Sequence, residues 1–215
     1  MTIKILPDEV ASQIAAGEVV ERAASVVKEL VENAIDAGAS RIMIRIKEAG
    51  KKLIEISDDG RGIQPKEMQL AVTRHATSKL SNAEDLFHIQ TLGFRGEALA
   101  SMGSVSRMTL TSLAENETSG ARIVVEGGQI VLMEATGVPT GTVVSVADLF
   151  YNTPARLKFL KSDQTERQQI EALVTRYAMA YPKVAIQLEM DGKNVFRSSG
   201  NGNQKIGRAS CRERV

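Results

Sequence analysis

A helix followed by two strands is predicted by residues 23–62, which read AASVVKELVENAIDAGASRIMIRIKEAGKKLIEISDDGRG. Apolar side chains recur at helical spacing over residues 23–37, and Gly38 is a typical helix stop. Residues 41–47 and 52–57 then alternate apolar and polar side chains, which is the pattern of half-buried strands. The short glycine-containing connection between them predicts a hairpin, so we expect an antiparallel pair with the helix docked on it.

Further helices and hairpins are predicted along the rest of the chain. We expect helices over residues 8–16, 65–72, 97–102 and 164–180, with Gly17 ending the first of them. We expect strands near residues 105–113, 121–126, 129–134, 142–147, 184–190 and 194–197. Residues 73–96 are polar and poorly periodic, which is typical of a long functional loop. Because hairpins outnumber βαβ crossovers, the predicted fold class is α+β, a sandwich of a mostly antiparallel sheet with helices on one face.

The composition is that of a globular protein. The chain has 215 residues, 43% hydrophobic and 25% charged, with a formal net charge of +1. No stretch approaches the roughly 18 apolar residues of a membrane span, and the N-terminus lacks the apolar region of a signal peptide. Cys211 is the single cysteine, so an internal disulfide and a thiolate zinc cluster are excluded. We expect a cytoplasmic protein with no membrane partner.

The basic C-terminal end differs from the rest of the chain. Residues 205–215 hold four cations and one anion, and without them 23 cations and 25 anions remain. Such a tail is either a nucleic-acid-binding arm or sequence foreign to the protein, and we favour the second interpretation. We therefore predict a domain over residues 1–200, followed by a linker start and a non-native basic tail over residues 201–215.

Three polar side chains share one stripe of the first predicted long helix. Glu29, Asn33 and Asp36 fall within about 60° of one another around the helix axis. A carboxylate beside a carboxamide can polarise a water molecule and help to hold Mg²⁺, which prefers oxygen ligands. The alternative is a solvated polar helix face, which the spacing alone favours.

Two glycine-containing segments suit a nucleotide. Residues 58–62, Asp-Asp-Gly-Arg-Gly, follow a strand, where a carboxylate could accept a hydrogen bond from an exocyclic amine such as that of adenine. Residues 77–79, Thr-Ser-Lys, and 93–99, Gly-Phe-Arg-Gly-Glu-Ala-Leu, suit a phosphate cradle, although no Walker A pattern occurs. The alternatives are an ordinary Asp-Gly turn and a glycine-hinged loop.

Other candidates are weaker. Thr142 begins a strand, and its hydroxyl could contact a base or a water molecule. His75 and His88 lie in the long loop, where solvated histidines are the commoner case. A basic stretch could follow phosphates, but we favour a solvated charged helix face; its cations are Arg156, Lys158, Lys161 and Arg167.

The order of these motifs resembles the GHKL ATPase superfamily, whose fold is the Bergerat sandwich. Glu29-Leu-Val-Glu-Asn33, residues 58–62, Gly93-Phe-Arg-Gly96 and Gly141-Thr142 occur in the superfamily's order. Within it, the resemblance is closest to the MutL mismatch-repair proteins. It rests on residues 14–22 (IAAGEVVER), 25–38, 93–99 and 148–156 (DLFYNTPAR), and it extends over residues 3–203. Ala23 departs from the pattern, because MutL proteins usually have proline there.

This resemblance implies a role for each motif. Glu29 would be the general base that activates the attacking water, and Asn33 would coordinate Mg²⁺ on the phosphates of ATP. Asp58 would accept from the adenine amino group. The other implied nucleotide-binding residues are Gly60, Gly62, Thr77, Ser78, Lys79, Gly93, Phe94, Arg95, Gly96, Glu97, Ala98, Leu99 and Thr142.

The resemblance also implies partners. In the family, ATP orders a lid and an N-terminal arm, here residues 1–20, and drives dimerisation of a clamp. The full-length protein would have a homodimer partner, a mismatch-recognition protein, a downstream nuclease or helicase, and DNA. A second domain would supply a lysine to the γ-phosphate, so we expect this chain to hydrolyse ATP weakly. The alternatives are a topoisomerase-type subunit or histidine kinase of the same superfamily, or a nucleotide-binding or scaffold domain without turnover.

Overall fold

The structure is a computed structural model that describes residues 4, 6–79, 91–93 and 96–203, with the side chains of residues 8–13 excluded. Phe94, Arg95, His88 and Cys211 lie outside the described residues. The predicted boundary between residues 200 and 201 stays a prediction, because residues 204–215 are not described.

Eight strands and six helices form the described fold. The helices are α1 (Asp8–Val19), α2 (Ala23–Asp36), α3 (Met68–Ala71), α4 (Ala98–Ser104), α5 (Pro154–Phe159) and α6 (Asp163–Ala180). The strands are β1 (Arg41–Lys47), β2 (Leu53–Asp58), β3 (Arg107–Leu113), β4 (Gly120–Glu126), β5 (Gln129–Thr136), β6 (Gly141–Ala147), β7 (Ala185–Met190) and β8 (Lys193–Arg197). Short 3-10 turns occupy Glu48–Gly50 and Pro65–Glu67.

The strands make one sheet in the order β5-β4-β3-β6-β2-β1-β7-β8. Every neighbouring pair is antiparallel except β1 and β7, which are parallel. The predicted α+β class with a mostly antiparallel sheet is therefore confirmed. The parallel pair arises because α6 crosses over the sheet before the chain returns beside β1.

One hydrophobic core joins the helices to the sheet. Ile42, Ile44 and Ile46 of β1 are at most 1% exposed, because alternate residues of a strand point to the same face. They pack with buried apolar residues of α2 and α6, such as Val27 and Val174. The apolar stripe of α2 thus faces the sheet, and its polar stripe is left for the site described below.

Two features of the fold differ from the sequence prediction. Helix α1 continues through Gly17 to Val19, so the predicted stop at Gly17 is wrong. A side chain at Gly17 would overlap the guanidinium of Arg156, which also donates to the Ile14 carbonyl. The glycine therefore leaves room for the Arg156 guanidinium beside α1, and a helix tolerates it at a cost of about 1 kcal/mol. The structure also contains α5, in a segment for which the sequence predicts basic character but no helix.

Candidate functional site

A cavity of about 1200 Å³ lies between α2, the adjoining ends of β2 and β6, and the start of α4. The predicted site residues that line it are Glu29, Asn33, Asp58, Gly62, Thr77, Ser78, Lys79, Gly93, Gly96, Glu97, Ala98, Leu99 and Thr142. Gly60 does not line the cavity, but its N–H donates to Asp58 Oδ1 at 2.9 Å. Side chains from residue 29 to residue 142 therefore share one space, and the role of each stays a prediction.

Asp58 and Thr142 define one end of the cavity. Asp58 is the last residue of β2 and pairs in register with Thr142 of β6. The Thr142 hydroxyl lies 2.9 Å from the hydroxyl of Ser112, a fully buried residue of β3. Ser112 also donates to the Gly141 carbonyl and accepts from the Ile63 N–H, both at 2.8 Å. The sequence carries no local signal for Ser112 as a site residue, because only strand pairing brings it beside Thr142.

Burial controls the charge of Asp58. Removal from water raises the pKa of its carboxyl to about 6, and the neighbouring charge of Asp59 acts in the same direction. The hydrogen bond from Gly60 opposes this rise without cancelling it. Asp58 is thus an ionised acceptor at neutral pH that carries a desolvation cost, a common property of binding-site groups.

Two glycines allow the backbone to close this end of the cavity. Gly62 has φ +70°, and a side chain there would overlap the carbonyl of Leu113. Gly141 has φ +123°, and a side chain there would overlap the carbonyl of Asp58. Both positions thus require glycine for conformation and for space.

Glu29 lies on the helix face that lines the other side of the cavity. Its carboxylate is paired with Lys28 at 3.0 Å, and its side chain is 25% exposed. Lys28 also contacts Glu32 at 2.9 Å, one turn along α2. The hydroxyl of Tyr177 on α6 donates to Glu32 Oε1. Burial, followed by the Glu32 carboxylate, raises the pKa of Tyr177 above its ordinary value. This network connects Glu29 to α6 through Lys28 and Glu32, two residues that the motif pattern alone does not place in the site.

Asn33 is held by the Thr-Ser-Lys segment. The Lys79 ammonium lies 2.9 Å from Asn33 Oδ1 and 2.5 Å from Asp36 Oδ2. The predicted stripe of Glu29, Asn33 and Asp36 therefore faces the cavity instead of bulk solvent. Asn33 Oδ1 is a carboxamide oxygen, a donor type that Mg²⁺ accepts, and in this structure it accepts a hydrogen bond from the Lys79 ammonium. Among the residues that the structure describes, no group of three or more histidine, cysteine or carboxylate side chains could hold a metal ion.

The start of α4 borders the same space. Gly96 has φ +63°, and a side chain there would meet the backbone of Ala76. Glu97 precedes α4, and its carboxylate lies 3.1 Å from Nδ1 of His75. The His75 side chain is 78% exposed at the rim, in agreement with a solvated loop histidine. The segments before and after residues 80–90 thus meet at the cavity.

The basic stretch near α5 has partners within the chain. Arg156 binds the Ile14 carbonyl, and Arg167 pairs with Asp191 at 2.6 Å. These contacts favour structural and solvated charges over a nucleic-acid surface. Within the described part of the chain, no helix is long and apolar enough to cross a membrane.

Comparison with known proteins identifies the family. The family model described as "Histidine kinase-, DNA gyrase B-, and HSP90-like ATPase" matches residues 21–130. The solved Aquifex aeolicus MutL ATPase domain complexed with ADP superposes with a TM-score of 0.75 at 34% identity, over 89% of this chain and 69% of that one. The chain belongs to the MutL ATPase family. A solved N-terminal domain of a DNA repair protein gives a TM-score of 0.79 at 28% identity, over 93% of this chain and 59% of that one.

Curated MutL relatives agree with this assignment. DNA mismatch repair protein MutL of Geotalea daltonii is 52% identical over 213 residues, which is 99% of this chain and 34% of the relative. MutL of Lactococcus lactis is 52% identical over 198 residues, which is 92% of this chain and 30% of the relative. This MutL-family chain thus spans about one third of the length of these relatives. The family predicted from the sequence is confirmed, in preference to a topoisomerase-type subunit or a histidine kinase.

Proposed function

We propose that this chain binds and hydrolyses ATP with Mg²⁺, as the ATPase module of a MutL-type mismatch-repair clamp. The observation that carries the proposal is that Asp58, Asn33 and Glu29 line a single cavity of about 1200 Å³. Such a volume is large enough for a nucleotide. In this proposal, the Asp58 carboxylate would accept from a base, and the Asn33 carboxamide oxygen and the Glu29 carboxylate would serve the metal and the attacking water.

The base end would recognise adenine. The ionised Asp58 carboxylate would accept from the adenine amino group, with the Thr142 hydroxyl oriented beside it by Ser112. Gly62 would let the backbone approach the base plane without a side chain between them. An ionised acceptor at this position would select for a base that has an exocyclic amine.

The phosphate end would carry the chemistry. Asn33 would hold Mg²⁺, which when bound supplies charge neutralisation on the phosphate oxygens. Glu29 would orient the attacking water and accept its proton. Lys79 and the backbone around residues 93–99 would contact the phosphates. The pairing of Glu29 with Lys28 restricts the position of its carboxylate before any nucleotide binds.

The proposal for the whole protein rests on its relatives. ATP would order a lid and the N-terminal arm, and would drive dimerisation of two N-terminal regions. A homodimer partner, a mismatch-recognition protein, a nuclease or helicase, and DNA would act with it in the cytoplasm. A domain beyond this chain would complete the phosphate site, so slow hydrolysis by this chain alone, or binding without turnover, is the second candidate function.

Phosphate release from ATP tests the catalytic part. Glu29→Gln removes the proton acceptor but keeps the side-chain size, so hydrolysis should fall at least about 100-fold while ATP affinity changes little. Glu55→Gln is a matched control, because Glu55 lies in β2, pairs with Arg45 and does not line the cavity. Hydrolysis by Glu29→Gln at the parent rate would show that the base is another group.

A further inference from the structure

A lysine already occupies the oxygen that Mg²⁺ would need. Lys79 Nζ lies 2.9 Å from Asn33 Oδ1. The Lys79 side chain is only 16% exposed, and its ion-pair partner Asp36 is 6% exposed. The contact is therefore a partly buried, charge-assisted hydrogen bond and not a chance surface pairing.

Asp36 is the group that holds Lys79 in this place. Its Oδ2 lies 2.5 Å from the Lys79 ammonium and also accepts from the N–H of Gly93 at 3.1 Å. Its Oδ1 accepts from the N–H of Leu92 at 3.0 Å. Burial alone would raise the pKa of Asp36, but these three hydrogen bonds outweigh it and lower the pKa. The carboxylate is thus ionised at neutral pH and fixed by donors from two separate segments.

The ammonium and a magnesium ion compete for Asn33. A magnesium ion binds oxygen at about 2.1 Å, so two cations on one carboxamide oxygen would lie within about 5 Å of each other and repel. Repulsion from Mg²⁺ held at this oxygen would therefore weaken the contact of Lys79 with Asn33. Without Mg²⁺, the ammonium stays at the phosphate end and supplies positive charge there itself.

On the basis of the proposed function, we propose that Lys79 is the resident cation of the nucleotide-free site, which Mg-nucleotide must displace from Asn33. Asp36 is the positioning residue that sets how strongly Lys79 is held. The gain in nucleotide affinity that Mg²⁺ provides is consequently reduced by the free energy needed to displace Lys79 from Asn33. The factor by which Mg²⁺ tightens nucleotide binding reports this competition directly.

Calorimetric titration with a non-hydrolysable ATP analogue, in excess Mg²⁺ and again in EDTA, measures that factor. Lys79→Met should raise the ratio of the Kd in EDTA to the Kd in Mg²⁺ about 10-fold. In EDTA the variant lacks the Lys79 ammonium that would face the phosphates, whereas in Mg²⁺ the metal ion no longer has to displace that ammonium from Asn33. Asp36→Asn should raise the ratio by a smaller factor. Lys52→Met removes the same charge from a side chain that is 57% exposed and outside the cavity, and should leave the ratio unchanged.

The possible results separate two different failures. If Lys79→Met weakens binding equally with and without Mg²⁺, Lys79 is a phosphate contact only and the inference is wrong, while the proposed function stands. A parent chain that binds the analogue under neither condition overturns the proposed function, and this inference with it. If Asp36→Asn does not fold by circular dichroism, the ratio for Lys79→Met decides alone.

Discussion

Replacing Asp58 with asparagine should stabilise the fold at neutral pH while removing nucleotide binding. The pKa of Asp58 in the folded chain is about 6, compared with 3.8 for an ordinary aspartate. At about 1.4 kcal/mol per pH unit, this difference makes the ionised carboxylate cost up to about 3 kcal/mol of folding free energy. Because the side chain is partly exposed, we expect Asp58→Asn to raise the free energy of unfolding by about 1–3 kcal/mol at pH 7.5.

The effect of Asp58 ionisation on stability is opposite in sign to that of a carboxylate with a lowered pKa, because the pKa of Asp58 is raised in the folded chain. Between about pH 4 and pH 6, the unfolded chain releases the Asp58 proton while the folded chain keeps it. The cost therefore grows as the pH rises through this window and is constant above it. The stability gain of Asp58→Asn should fall by about two thirds between pH 7.5 and pH 4.5.

Urea unfolding of the parent and the variant at both pH values measures this gain. Asp59→Asn is the control of opposite sign, because Asp59 accepts from the Ser40 hydroxyl and from the N–H groups of Ser40 and Arg41. These bonds outweigh burial and lower the pKa of Asp59, so its loss should destabilise the chain at pH 7.5. A variant Asp58→Asn that is less stable than the parent at pH 7.5, or a gain that does not change with pH, would refute the reasoning.

Two further substitutions test the packing around the cavity. Gly62→Ala should cost about 2 kcal/mol or more in urea unfolding and should weaken nucleotide binding, because it adds an overlap with Leu113 to the strain of φ +70°. Gly38 has φ +76° but open space around it, so Gly38→Ala should show the cost of backbone strain alone. Equal losses of unfolding free energy in Gly62→Ala and Gly38→Ala would argue against the overlap with Leu113. Tyr177→Phe should lower the free energy of unfolding by about 1–2 kcal/mol through loss of the bond to Glu32. Tyr181 stacks on the Tyr177 ring, and Tyr181→Phe should change the free energy of unfolding by less than about 0.5 kcal/mol. Similar losses in both variants would show that the hydrogen bond from Tyr177 to Glu32 contributes little to stability.

The local elements were predictable because their signals are local. The alternating pattern predicted a strand over residues 41–47, which are the observed bounds of β1. Gly38 follows α2 and has φ +76°, as expected of a glycine at a helix stop. The strands predicted near residues 121–126 and 129–134 correspond to β4 and β5, and Gly127 and Gly128 lie between them. Hydrophobic period and turn chemistry were therefore enough for the class of fold and for most of its elements.

The long-range contacts were not predictable from the residues alone. The parallel pairing of β1 with β7 joins segments about 140 residues apart, and nothing near either strand encodes its partner. Gly17 is typical of a helix end by itself, and its proximity to the Arg156 guanidinium is a long-range contact that the local sequence does not encode. The site shows the same division, because motif chemistry predicted Asp58 and Asn33 as site residues, whereas Ser112 meets Thr142 and Tyr177 meets Glu32 only through the tertiary fold.

Titration of the chain with a non-hydrolysable ATP analogue in the presence of Mg²⁺ is the most direct test of nucleotide binding in this cavity. We expect the parent chain to bind the analogue and Asp58→Ala to lose that binding, since the alanine cannot accept from the adenine amino group. Asp163→Ala should bind like the parent, because Asp163 is a half-exposed residue of α6 that does not line the cavity. Absence of binding by the parent, or equal binding by parent and Asp58→Ala, would contradict the assignment of this cavity to ATP.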